Sequence, residues 1–88
     1  MEKRWVIIFK ALGNINRLRI IKMLSGGEEM TVTQIANELK ISLKATSRHL
    51  IILQNFDLLE SEGRQGFVYY HFNKKLPADF SRALKLFS

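Results

Sequence analysis

Three side chains with hydrogen-bonding chemistry recur at helical spacing in the middle of the chain. Lys44, Ser47 and Arg48 fall on one side of a helical wheel turned by about 100° per residue, and Leu50 and Leu53 fall on the other. An arginine fork matches the two acceptor atoms on the major-groove edge of guanine, a lysine reaches guanine or a phosphate, and a serine can bond several bases. The pattern therefore favours recognition of duplex DNA.

The charge balance around these residues indicates the same kind of partner. From Lys40 to Phe56 there are three basic residues and no acidic one. The whole chain of 88 residues has 14 lysines and arginines against 8 aspartates and glutamates, a net charge of +6. Such a surplus indicates a polyanionic partner. A basic helix face can also be a solvated surface with no partner. The elements on either side of the helix distinguish this interpretation from DNA binding.

Those neighbouring elements complete a helix-turn-helix over residues 34–55. Ser42 is a good N-cap for a helix from 43 to about 55, after a three-residue break at Lys40-Ile41-Ser42. Thr33 is predicted to cap a shorter helix at 34–39. A short helix, a tight turn and a second helix with a basic face form the motif whose second helix enters the major groove of DNA.

Further elements are predicted on both sides of this motif. Two apolar helices are expected at 2–12 and, after an Asn14 cap, at 15 to about 25, where Ile15, Leu18, Ile21 and Leu24 should face inward. A short extended piece at 30–32 precedes the motif. A hairpin at 58–72 follows it, with Gly63 and Gly66 in the positive-φ positions of the turn, and then a helix at 77–87. The expected fold is mainly α with a small β-hairpin, in a single domain over residues 1–88.

Three ordered motifs resemble those of ArsR-type winged helix-turn-helix regulators. They are the stretch from Phe9 to Ile21, the pair formed by Leu39-Lys40-Ile41-Ser42 and Ser47 to Leu53, and Leu58-Leu59 with Gly63-Arg64 and Val68-Tyr69-Tyr70. The resemblance covers residues 9–72, most of the chain. It implies a dimeric DNA-binding transcriptional regulator of archaeal or bacterial type, which we expect to be a repressor, with residues 58–72 as its wing. The first and last helices, 1–12 and 77–87, would pair the subunits.

Candidate interface residues follow from the motif and from the resemblance. The predicted DNA contacts are Leu43, Lys44, Ser47, Arg48, Arg64, Ser42, Thr33 and Gln34. The predicted dimer contacts are Trp5, Ile8, Phe80, Leu84 and Phe87. We expect a homodimer because the apolar surface of the two outer helices exceeds what a core of this small size can cover.

The wing has an unusual charge for a surface that approaches DNA. Asp57, Glu60 and Glu62 outnumber Arg64, so residues 57–66 carry a net charge of −2. Because phosphates repel carboxylates, Arg64 at the tip is predicted to be the useful contact of the wing, reaching the DNA backbone or the minor groove. The acidic wing also keeps a second hypothesis open, in which the winged helix binds a protein or an RNA within a larger assembly.

Two polar residues on the buried side of helix 43–55 are expected to be structural. Thr46 stands where the ArsR family usually has a buried aliphatic residue, and its hydroxyl is expected to bond a carbonyl one turn earlier. His49 lies at the edge of the buried side, where the family has a matching histidine that packs and hydrogen-bonds. Both residues are therefore predicted to position the helix rather than to bind a ligand.

The sequence does not supply the residues of a metal sensor or an enzyme. There is no cysteine, and His49 and His71 are the two histidines. Metal sensors of the ArsR type carry cysteines in the third helix, or pairs of acidic and histidine residues in the last helix. The last predicted helix of this chain offers only Asp79. We therefore expect no metal, no cofactor and no catalytic residues. Regulation would come from a small molecule, a partner protein or the expression level.

The predicted location of the protein is the cytoplasm. No apolar run approaches the ~20 residues that span a bilayer. The first residues also lack the pattern of a signal peptide with a small-residue cleavage site. We expect no membrane partner.

Overall fold

The fold is described by a computed structural model for residues 3–75 and Arg82. The elements in chain order are α1 (Lys3–Leu12), α2 (Ile15–Leu24), β1 (Met30–Thr31), α3 (Val32–Leu39), α4 (Leu43–Asn55), β2 (Leu59–Arg64) and β3 (Phe67–Phe72). The predicted helix at 77–87 lies outside the described residues, except for Arg82. Helices with a small antiparallel sheet confirm the predicted fold class. None of the described helices has the length and apolar composition needed to cross a membrane.

The sheet of the described part contains one strand more than the predicted hairpin. Its strand order is β1-β3-β2, and both neighbouring pairs are antiparallel. Met30 lies opposite Tyr70 and Thr31 lies opposite Tyr69. The extended piece before α3 is therefore an edge strand, and it joins the wing to the beginning of the helix-turn-helix.

The turn of the wing differs from the prediction at one position. β2 continues through Gly63 to Arg64, and the positive φ angles belong to Gln65 at 52° and Gly66 at 84°. Positive φ at both central residues gives a two-residue turn whose twist matches that of the flanking strands. Gly63 is thus a strand residue, and Gln65 occupies the position that was predicted for a glycine.

A single apolar core joins the four described helices to the base of the wing. Its buried side chains are Ile8, Ala11, Leu12, Ile20, Ile21, Leu24, Ile35, Leu39, Leu50, Leu53, Leu58 and Leu59. Burial of each leucine or isoleucine side chain contributes about 1.5–3 kcal/mol to the free energy of folding. The core therefore fixes how α3 and α4 lie against the rest of the chain.

The prediction that Ile15 faces inward is wrong. Its side chain is 67% exposed, whereas Ile20, Ile21 and Leu24 are buried. At about 100° per residue, Ile15 is half a turn from the centre of those three side chains. The buried side of α2 is therefore set by its second half.

Helix α3 begins two residues earlier than the sequence predicts. Thr31, rather than Thr33, is its N-cap. The Thr31 hydroxyl accepts a hydrogen bond from the backbone N–H of Gln34 at 3.2 Å, and the Gln34 side-chain oxygen accepts one from the N–H of Thr31 at 2.8 Å. This reciprocal capping box satisfies two N–H groups that the start of a helix would leave without partners. Thr33 is an exposed residue inside the first turn.

Candidate nucleic-acid interface

The turn between α3 and α4 is fixed by backbone geometry at one end and by a cap at the other. Lys40 ends α3 in the left-handed conformation with φ at 58°. The Ser42 hydroxyl accepts a hydrogen bond from the backbone N–H of Ala45 at 3.0 Å, which confirms Ser42 as the N-cap of α4. Its oxygen is therefore committed to the helix, and its exposed position leaves the hydroxyl hydrogen for a ligand.

The buried side of α4 anchors the helix in the core. Leu50, Leu53 and Thr46 are fully buried. The Thr46 hydroxyl donates a hydrogen bond to the Ser42 carbonyl at 2.9 Å, which confirms the expected bond to the preceding turn. Because its polar atom has this partner, the threonine can be buried at little cost.

The opposite side of α4 is exposed, basic and partly apolar. Lys44 and Arg48 are exposed, and Ser47 is half-buried beside them. Leu43 and Ile51 add apolar surface with 52% and 54% exposure. The one ion pair among the described residues involves neither Lys44 nor Arg48. Both charges thus face solvent with no acidic partner in the part of the chain that the structure covers.

Two more of the predicted contacts lie in the first turn of α3. Thr33 and Gln34 are both exposed there. The Gln34 oxygen is engaged by the N–H of Thr31, so its amide nitrogen is the atom left to donate to a ligand. The helix-turn-helix therefore presents polar groups at the beginning of each of its two helices.

Arg64 already has partners within the chain. Its guanidinium forms an ion pair with the carboxylate of Glu29, in the segment before β1, and lies 4.4 Å from the centroid of the Tyr69 ring. The two charged side chains are 45% and 41% exposed, so water and salt screen the pair. In the structure the predicted wing contact is therefore paired with residues of its own chain.

The side of the wing that carries Arg64 also carries its acidic residues. Side chains alternate along a strand, so Glu60, Glu62 and Arg64 share one side of β2. Across the sheet, Glu60 lies opposite His71 and Glu62 lies opposite Tyr69. Two carboxylates thus accompany the arginine, and this side of the wing is repelled by phosphates everywhere except at its tip.

His49 has the structural surroundings that the sequence predicts, together with a partner that the sequence does not reveal. The Arg17 Nη1 atom lies 3.5 Å from the His49 Nδ1 atom. Burial lowers the pKa of His49 below its ordinary value of 6.5, and the positive charges of Arg17 and Arg48 lower it further. The surroundings of the ring therefore favour its neutral form. Sequence reasoning missed Arg17 because no local pattern links residues that are 32 positions apart.

The predicted dimer contacts are only partly covered by the structure. Ile8, which was predicted to contact the partner subunit, is 3% exposed and belongs to the core of its own chain. Val6, on the same helix, is 39% exposed. The Trp5 side chain and residues Phe80, Leu84 and Phe87 lie outside the described part, and the dimer surface remains a prediction there.

Ligands for a metal ion do not come together in the part of the chain that the structure describes. Within residues 3–75 and Arg82, no group of three or more histidine, cysteine, aspartate or glutamate side chains could hold an ion. His49 is engaged with Arg17, and the His71 Nδ1 atom lies 3.1 Å from the Phe72 carbonyl. Asp79, the carboxylate of the last predicted helix, lies outside the described residues.

Comparison with known proteins identifies the family of the chain. Residues 14–61 match the family described as bacterial regulatory protein, arsR family. The chain is 33% identical over 72 residues to the transcriptional repressor SdpR of Bacillus subtilis, an alignment that covers 82% of this chain and 79% of SdpR. The protein is a winged helix-turn-helix regulator, and it belongs to the ArsR family of bacterial regulatory proteins.

Among the solved structures that match the chain, two illustrate the similarity of the fold. HlyU from Vibrio cholerae matches with a TM-score of 0.84 at 28% identity, over 98% of this chain and 92% of HlyU. The homodimeric winged helix-turn-helix DNA-binding domain of Mb0332 from Mycobacterium bovis matches with a TM-score of 0.79 at 29% identity, over 94% of this chain and 73% of that fragment. The second match confirms the winged helix-turn-helix that the sequence predicts.

Proposed function

We propose that the protein is a transcriptional repressor that binds duplex DNA as a homodimer and inserts α4 into the major groove. The observation that carries the proposal is the exposed basic side of α4, where Lys44 and Arg48 project opposite a side that is fully buried. SdpR is a transcriptional repressor and the Mb0332 fragment is a homodimeric DNA-binding domain, which supports the same activity here. We assign the protein no catalytic activity and place it in the cytoplasm.

The exposed side chains of α4 make different contacts with the DNA according to their chemistry. Arg48 forks onto the two acceptors of guanine, which is worth about 1–3 kcal/mol of discrimination against another base. Lys44 contacts guanine or a phosphate, Ser47 bonds a neighbouring base edge, and Leu43 meets a thymine methyl group. The remaining polar residues position the protein on the DNA backbone, and they are Thr33, Gln34, Ser42 and Arg64.

The proposed dimer is formed by α1 and the last predicted helix. Trp5, Phe80, Leu84 and Phe87 supply apolar contacts, and Val6 has 39% of its side chain available to join them. A two-fold dimer presents two copies of α4, which enter successive major grooves about 34–36 Å apart. The operator should therefore be an inverted repeat with half-sites centred one helical turn apart.

Enrichment from a pool of random duplex DNA tests the proposal. The pool should converge on an inverted repeat whose half-sites are centred one helical turn apart. Affinity for unselected duplex should also fall steeply with salt, with a log–log slope of about −0.9 for each phosphate neutralised. A pool that does not converge, together with a shallow salt dependence, would refute DNA recognition.

The acidic side of the wing supports a second candidate function. Glu60 and Glu62 accompany Arg64 on that side, and carboxylates are unfavourable beside phosphates but suit a basic protein surface. The second candidate is an interaction module in a larger assembly, in which this side of the wing binds a basic protein surface or the basic side of α4 binds an RNA. Convergence of an RNA pool under the same conditions, in place of the DNA pool, would favour this second function.

A further inference from the structure

We propose that Arg17 is a positioning residue that sets the orientation of α4 relative to α1. Its Nε–H donates a hydrogen bond to the Ala11 carbonyl near the end of α1, and its Nη1 lies 3.5 Å from the Nδ1 atom of His49 on α4. One side chain from α2 therefore touches both neighbouring helices. The inference rests on the proposed function, since α4 is the helix that we assign to the major groove.

The chemistry of arginine suits a bridge between two fixed acceptors. The guanidinium is planar, remains charged and presents five N–H donors in a rigid fork, so two acceptors must lie in matching directions. One acceptor is the Ala11 carbonyl, which belongs to the last turn of α1, where carbonyls lack partners within the helix. The other must be an unprotonated Nδ1, because arginine cannot accept a hydrogen bond. The bridge therefore specifies a neutral His49 with its proton on Nε2.

The bridge meets α4 beside a residue that we assign to DNA. His49 follows Arg48 in the sequence, and it lies at the edge of the buried side of the helix. Leu50 and Leu53 hold α4 in the core, but apolar contacts are not directional. A hydrogen-bonded contact at the edge adds a constraint on rotation of α4 about its own axis. A change in that rotation moves the Arg48 guanidinium relative to the bases.

The other end of the bridge meets the helix that we assign to the dimer contact. Arg17 therefore links the place where two subunits join to the helix that each subunit inserts into DNA. Specific binding needs both copies of α4 in register with their half-sites, whereas attraction to phosphates tolerates small misplacements. Loss of the bridge should accordingly reduce binding to the operator and spare binding to unselected duplex.

Charge-conserving and acceptor-conserving variants test this role. Arg17→Lys keeps the positive charge but cannot span both acceptors, and His49→Phe removes the acceptor. Each should weaken operator binding roughly tenfold, the size expected for one lost charge-assisted hydrogen bond, with unchanged affinity and salt slope on unselected duplex.

His49→Asn places an amide oxygen near the position of Nδ1 and should restore most of the operator affinity. Arg19→Lys, an exposed arginine on the same helix, is the matched control and should bind as the unmodified protein does.

The tautomer of His49 gives a readout that does not depend on DNA. The ¹⁵N shifts of its ring should show an unprotonated Nδ1 and a protonated Nε2 in the unmodified protein, and a mixture of tautomers in Arg17→Lys. If Arg17→Lys fails to fold in a melting experiment, the comparison of His49→Phe with His49→Asn carries the test.

Several results would overturn the role. Operator affinity unchanged in Arg17→Lys, or equal losses in His49→Asn and His49→Phe, would show that the bridge does not position α4. Arg17→Ala removes the charge as well as the bridge, and equal weakening of this variant on operator and unselected duplex, with a shallower salt slope, would make Arg17 a phosphate contact instead. An unmodified protein that selects no operator would refute the proposed function itself, and the role of Arg17 with it.

Discussion

Arg64 has two partners within the chain and a different one in the proposed complex. In the structure its charge faces Glu29 and the ring of Tyr69. An exposed ion pair of this kind contributes only about 0–1 kcal/mol. A DNA phosphate can therefore replace the carboxylate of Glu29, although the exchange reduces what the wing adds to affinity.

Removal of that competing carboxylate should strengthen DNA binding. Glu29→Gln is expected to raise affinity a few-fold, because Arg64 no longer has to leave a carboxylate before it contacts a phosphate. Glu28→Gln is the matched control, since it removes the same charge from the neighbouring exposed position. Titration of both variants with operator at one salt concentration measures the difference. An equal gain in the two variants would mean that net charge, and not release of Arg64, is responsible.

The lowered pKa of His49 makes folding stability depend on pH. The ordinary pKa of histidine is 6.5, so below this pH His49 binds a proton in the unfolded chain while it stays largely unprotonated in the folded chain. The free energy of unfolding should therefore fall as the pH decreases from about 6.5 through the lower pKa of the folded state. The charged groups that act on the ring are Arg17 from α2 and Arg48 from α4 itself, and both favour the neutral ring.

Denaturant unfolding between pH 7.5 and pH 5 measures this loss. His49→Asn carries no titrating ring and should lack this part of the pH dependence. His71→Asn, at the other histidine, is the control and should keep it. If His49→Asn and the unmodified protein lose stability in parallel, other groups cause the acid sensitivity.

Among the secondary-structure elements, α3 shows most directly how a cap defines the start of a helix. Thr31→Ala removes the hydroxyl that accepts from Gln34, so it should lower the free energy of unfolding by about 0.5–2 kcal/mol. Thr33→Ala is the matched control, because Thr33 is exposed and caps nothing, and its cost should stay within about 0.5 kcal/mol. Thermal or urea unfolding compares them. A larger loss in Thr33→Ala would support the helix start predicted from the sequence.

Local patterns were sufficient to predict most of the helix-turn-helix. The spacing of Leu50 and Leu53 against Lys44 and Arg48 gave the two sides of α4, because a helix turns by a fixed angle per residue. Ser42 was predictable as a cap, since a serine before an apolar helix satisfies its first N–H groups. These inferences need only residues that are a few positions apart.

The cap of α3 was predictable in principle but was assigned to the wrong threonine. Thr31 and Gln34 are three residues apart, which is the spacing of a capping box. Thr33 directly precedes Gln34 and has the same preference for a cap position. The reciprocal partner decides between the two threonines, and only Thr31 has one.

Pairings between distant residues had no signal in the sequence. The pair Arg64 and Glu29 and the pair Arg17 and His49 each join residues more than 30 positions apart. The alignment of β1 with β3 rests on two residues, too few for a periodic pattern. Such contacts depend on how the core brings the elements together, which a single sequence does not state.

For the whole molecule, self-association is the property that the exposed side of α1 predicts. Val6→Glu places a charge in the proposed dimer surface and should shift a dimer at micromolar concentration towards monomers. Val68→Glu makes the same substitution at an exposed apolar residue of the wing and should leave the dimer intact. Sedimentation equilibrium distinguishes the two outcomes. A monomeric unmodified protein at high concentration would contradict the dimer.

The most direct test of the central claim, that α4 carries DNA recognition, compares two charge-matched double variants. Lys44→Ala with Arg48→Ala removes one lysine and one arginine from α4, and Arg19→Ala with Lys22→Ala removes the same two residue types from exposed positions on α2. Operator affinity and melting temperature should be measured side by side on both. We predict that the α4 variant loses specific binding, since each change occurs twice in a dimer, while the α2 variant keeps it and both melt as the unmodified protein does. An α4 variant that folds and still binds the operator would contradict the account.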